Sequence, residues 1–116
     1  MSTDTLAQTP VLTTTSMLLD HYRSALSADN RARRSFVRPE TKEHAARDLS
    51  AAREAIDVHG ITAAPNAHAY VDIAQAIDDY RDHVVRALDT GSDTRGVPLF
   101  AEDLSRSRVI HLLEAA

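Results

Sequence analysis

Six histidines, His21, His44, His59, His68, His83 and His111, are the most versatile acid–base and metal-binding groups in the chain. Three of them stand four residues from an aspartate: His44 with Asp48, His68 with Asp72, and His83 with Asp79. On a helix that spacing places both groups on one face, which a metal site requires. The pattern goes no further. A di-metal centre in a helical bundle needs Glu-x-x-His motifs and additional inward carboxylates, and no Glu-x-x-His occurs. His68 and His83 are roughly four helical turns apart and cannot share one ion. The pairs therefore read as exposed partners on solvated faces, with no metal expected. His59 continues an apolar stripe and reads as a helix-end or core histidine. The absence of cysteine removes disulfides, thiolate catalysis and cysteine-based zinc sites. No Gly-x-Ser-x-Gly and no glycine-rich phosphate loop is present, so no cofactor is expected.

A second candidate lies near the C-terminal end. Arg106-Ser-Arg-Val-Ile-His111 sets an arginine and a histidine five residues apart on a predicted helix. In this it resembles the HEPN superfamily of small helical-bundle ribonucleases. That resemblance implies an Arg106 and a His111 acting on an RNA backbone, usually across a dimer. It covers six residues and a fold class. The chain departs from the family at Ser107, where an asparagine, aspartate or histidine is favoured. Arg38 and His44 offer another spacing of the same broad kind.

The clearest local charge anomaly is Arg31, Arg33, Arg34 and Arg38, four arginines within eight residues, with the apolar pair Phe36 and Val37 among them. Guanidinium forks suit phosphates and carboxylates alike. This basic connector could grip nucleic acid, an acidic protein partner, or the chain's own acidic residues Asp72, Asp78, Asp79 and Asp82.

The elements that must position these groups are helical. Residues 1–15 are threonine-rich, contain Pro10 and show no helical period, so a flexible arm is expected, without the features of a secretory signal. A first helix over 16–28 carries Leu18, Leu19, Tyr22, Ala25 and Leu26 at steps of three and four, and ends or bends at Asp29 and Asn30. A second, over 39–59, opens at Pro39 with Glu40 and Glu43 in its first turns. Its stripe is Ala45, Leu49, Ala52, Ile56 and His59, and Gly60 is expected just past its end. The short segment 61–65 forces the next helix to return antiparallel. That third helix, 67–89, begins after Asn66 and carries Tyr70, Ile73, Ile77, Tyr80, Val84 and Ala87. A fourth, over 99–114, presents Val109, Leu112 and Leu113, with Leu104 on the opposite side. The fold class is all-α: a small bundle of about four helices, residues 16–116, built on the antiparallel hairpin of helices 2 and 3.

Composition narrows the functions. Of 116 residues 43% are hydrophobic, but aromatics are only 4%, so the core is thin, and small scaffolds of this kind often gain stability by oligomerising. Phe100 and Leu104, lacking obvious internal partners, are the expected homo-oligomer interface. A formal net charge of -4 gives no global pull toward nucleic acid or an anionic membrane, and no apolar run approaches the ~20 residues of a membrane span. One lysine against twelve arginines, with abundant Ala and Asp, suggests a GC-rich genome, such as an actinobacterium or one of its phages. The expected compartment is a bacterial cytoplasm, or that of a host cell for a viral gene. The leading functional reading is a non-enzymatic protein–protein interaction module, an adaptor, inhibitor or regulator. The alternatives are a nucleic-acid-associated protein using Arg31–Arg38 and a HEPN-like ribonuclease.

Overall fold

The computed structural model describes residues 14–90 and 97–114. They form four helices: α1 (Thr14–Arg34), α2 (Pro39–Ala63), α3 (Ala67–Thr90) and α4 (Val97–Glu114), with no strand among the described residues. No described helix is long and apolar enough to cross a membrane.

Helix α1 is longer than the sequence suggests at both ends. Thr14 and Thr15, assigned above to the arm, belong to its first turn, and residues 1–13 lie outside the described residues. The Thr15 hydroxyl is buried, donates to Glu114 Oε2 at 2.6 Å and lies 3.0 Å from His59 Nε2. The helix also runs through Asp29 and Asn30 instead of stopping there. Both side chains are satisfied: Asp29 pairs with Arg33 one turn on, at 3.0 Å, and Asn30 Nδ2 donates to Asp89 Oδ1 at 3.0 Å. Nothing breaks the helix before the extended segment preceding Pro39. Arg31, Arg33 and Arg34 thus form the last turn of α1, where cations complement the negative end of the helix dipole. Only Ser35–Arg38 connects the helices.

Helix α2 opens as expected. Arg38 is extended, as a residue before proline must be, and Pro39 occupies the first turn, where its missing N–H costs nothing. Its end is not at Gly60. The helix passes through that glycine to Ala63, and Ala64, extended before Pro65, closes it by donating to the Gly60 carbonyl at 2.9 Å. Gly60 is buried within the helix, with a side chain of α3 directly above it. Helix α3 begins at an asparagine cap: Asn66 Oδ1 accepts from the Ala69 amide at 2.8 Å.

Contacts near 60 and 73 and between 53 and 78 run antiparallel along α2 and α3, so the hairpin joined by residues 64–66 is present. The broadest packing lies within two pairs, α1 on α2 and α3 on α4. Helix α3 supplies the centre of the core: Ile73, Ile77, Tyr80 and Val84 are each buried. Leu19, Tyr22 and Leu26 meet them from α1, Ala52 and Ile56 from α2, and Val109 and Leu113 from α4. Leu49, expected at the centre, packs at the margin and is half-buried.

Candidate interaction site

The junction of α1 and α2 gathers the arginines singled out in the sequence. They divide into two sets. Arg33 pairs with Asp29, and Arg34 Nη2 contacts Asp89 Oδ1 on α3 at 2.8 Å. The hydrogen bond from Asn30, reinforced by Arg34, holds the Asp89 carboxyl below its usual range. The chain's own acid on α3 does receive part of the basic run, but through Asp89 and not through Asp72, Asp78, Asp79 or Asp82. Arg31 and Arg38 are exposed and have no carboxylate partner among the described residues; Lys42, one turn into α2, is the same.

Between these cations the connector is shaped. The Val37 amide donates to the Ser35 carbonyl at 3.0 Å, closing a three-residue turn with Phe36 at its centre. The Arg38 carbonyl accepts from the Thr41 and Lys42 amides and starts α2. Phe36 stands wholly exposed at this turn, while Val37 is half-buried. A full aromatic side chain is thus held in water by a turn with a helix anchored on either side.

Arg106 and His111 are not used together within this chain. Arg106 turns to α1, where Nη1 donates to Asp20 Oδ1 at 2.6 Å and Nη2 to Ser16 Oγ at 3.1 Å. His111 is exposed. Leu104 is also exposed, at 56%, as its position opposite the Val109 patch implies. The Phe100 side chain lies outside the described residues.

The histidine pairs behave unequally. His44 Nε2 lies 3.4 Å from Asp48 Oδ2 on an exposed face. His83 instead places Nδ1 3.0 Å from Ser105 Oγ on α4, with Asp79 one turn before it, in a groove of ≈ 360 Å³ that Leu104 and Arg108 also line. The residue types are those of a serine hydrolase, but the arrangement lacks its chemistry. Ser105 is buried and its hydroxyl bonds back to the carbonyls of Ala101 and Glu102, within its own helix. It also sits mid-helix, where amides are consumed by the helix and cannot form an oxyanion hole. Among the described residues no three His, Asp or Glu side chains cluster to hold a metal.

Two polar hubs have no signature in the sequence. Arg53 Nη2 donates to Asp78 at 2.7 Å, Nη1 to the Tyr22 hydroxyl at 3.1 Å and Nε to Asp57 at 3.0 Å, and the guanidinium lies 5.7 Å from the Tyr22 ring centroid. One side chain thereby ties α1, α2 and α3. Burial pulls the Arg53 pKa down, but the bonds to Tyr22, Asp78 and Asp57 outweigh it and leave it raised. The second hub is Glu102, buried on α4, which accepts Arg23 Nε of α1 at 2.5 Å. Beside it the Tyr80 hydroxyl is buried without an oriented hydrogen bond, and burial, with the Glu102 charge, pushes its pKa up to about 12. Arg53–Asp57 is a local i, i+4 pair, but the bonds of Arg53 to Tyr22 and Asp78 and of Arg23 to Glu102 join residues more than twenty positions apart, which no local spacing reveals.

No family model, curated protein or solved structure matches this chain.

Proposed function

We propose that this chain is a non-enzymatic interaction module: a helical scaffold that presents side chains to a protein partner. The observation that carries this reading is Phe36, one of only two phenylalanines, wholly exposed at an ordered turn. In an aromatic-poor protein, a phenylalanine placed in water gives up burial that the thin core needs. Aromatic and arginine side chains are the usual anchors of protein interfaces. Two of the groups that could do chemistry are meanwhile committed to structure, Arg106 to Asp20 and Ser16, and Ser105 to its own helix.

Nucleic-acid association is the second reading, favoured by the exposed Arg31 and Arg38, which lack carboxylate partners among the described residues. The ribonuclease reading requires Arg106 to leave Asp20.

The test is capture by a photo-crosslinking amino acid placed separately at position 36, at 58 (Val58, an exposed apolar residue of α2) and at 104 in the source cell. A protein cross-linked from at least one position, and binding the purified chain at fixed stoichiometry, is expected. Capture from none of them, or cleavage of single-stranded RNA that is lost in both Arg106→Ala and His111→Ala, would refute the reading.

A further inference from the structure

We infer that the α1–α2 turn is the contact point itself, and that it fits a protein whose surface offers a phenylalanine-sized apolar recess with an acidic rim. This rests on the interaction-module reading above and adds the site and the chemistry of the partner.

Three observations converge on the turn. The Val37-to-Ser35 hydrogen bond fixes the backbone around Phe36, and Pro39 restricts Arg38, so little chain entropy remains to be lost on docking. Phe36 is wholly exposed, so burying it recovers the full transfer free energy of an aromatic side chain. Arg31, Arg38 and Lys42 flank it, exposed and without carboxylate partners among the described residues, although the chain as a whole carries a net charge of -4. Positive charge left unpaired on an acidic protein complements an acidic partner surface and steers the encounter.

The same neighbourhood disfavours a nucleic-acid partner. Glu40 and Glu43 are exposed on the first turns of α2, roughly 100° or more around the helix axis from Lys42. Phe36 is also a lone aromatic, where single-strand binders use several rings as successive stacking platforms.

The test uses the protein captured above, purified, in titration calorimetry against the full chain. Phe36→Ala and the double variant Arg31→Glu/Arg38→Glu should each weaken binding at least tenfold, with the helical circular dichroism spectrum unchanged. Phe36→Leu should retain part of the affinity, and wild-type association should slow as salt rises. Full affinity in Phe36→Ala, or a partner cross-linked from position 58 or 104 but never from 36, overturns the inference while leaving the interaction module standing. Tight binding of fluorescein-labelled oligo(dT) that Arg31→Glu/Arg38→Glu abolishes overturns it in favour of nucleic acid. Cross-linking of position 36 only to a second copy of this chain overturns it in favour of self-association.

Discussion

Gly60 on α2 and Ile73 on α3 approach so closely that a Cβ built on the glycine would stand 3.0 Å from the isoleucine Cγ2. Alanine would gain about 1 kcal/mol of helix propensity at this position. Against that gain, Ile73 is buried and β-branched, so its χ1 cannot turn aside cheaply. Gly60→Val adds bulk that neither helix can absorb. It should lower unfolding stability by about 1–3 kcal/mol in urea titration. A Gly60→Val chain as stable as wild type would mean that α2 and α3 are not in contact here.

Arg53 joins three helices through Tyr22, Asp57 and Asp78. Its removal leaves the hydroxyl of the buried Tyr22 without its partner and takes a cation from Asp57 and Asp78, the latter keeping Arg81 at 4.0 Å. Arg53→Ala should cost roughly 1–3 kcal/mol. Arg53→Lys should recover only part of the loss, because a single ammonium cannot reproduce the planar fork that reaches three acceptors. Equal stability of the Lys variant and the wild type, by thermal melting, would assign the residue a purely electrostatic part.

These two residues also show where the sequence is legible. Pro39 and Asn66 announce their helix starts, because proline at a first turn and an asparagine cap act through their immediate neighbours. The apolar stripe of α3 announces the core by its period alone. Gly60 passes for a stop because a closing glycine and a close-approach glycine look alike until Ile73 is in view. Asp29 and Asn30 look like an end because Asn30's partner, Asp89, lies 59 residues away. At the α1–α2 turn, the arginine run and the apolar pair are visible in the sequence. Which arginines are spent internally, and that Phe36 points into water, depend on Asp89 and on the turn.

The Tyr80 hydroxyl gives a pH dependence. Its folded pKa, about 12, lies above the ordinary tyrosine value of 10.0. The unfolded chain therefore loses this proton first as pH rises. The contribution is fully present below about pH 10 and is lost as pH climbs toward 12. Tyr22, raised chiefly by burial, acts in the same direction. Tyr80→Phe removes a buried hydroxyl that lacks an oriented partner, so near-neutral or improved stability at pH 7 is expected. The Tyr80→Phe variant should also show a smaller fall in melting temperature above pH 10. An alkaline profile identical to wild type would rule out this tyrosine as its source.

Self-association is read by light scattering. The thin core and the exposure of Leu104 lead us to expect a homodimer at high micromolar concentration, converted to monomer by Leu104→Glu. A 12.7 kDa monomer at that concentration would contradict the expectation.

The role of Phe36 as the anchor can be measured before any partner is identified. Hydroxyl-radical footprinting, read by mass spectrometry, reports the exposure of individual side chains. In the purified chain Phe36 should be modified rapidly while Tyr80, buried in the core, is spared. In lysate of the source cell, with the chain at its native concentration, Phe36 modification should fall several-fold and return when Arg31→Glu/Arg38→Glu is introduced. Equal Phe36 modification in the purified chain and in lysate would contradict an anchoring role for the turn.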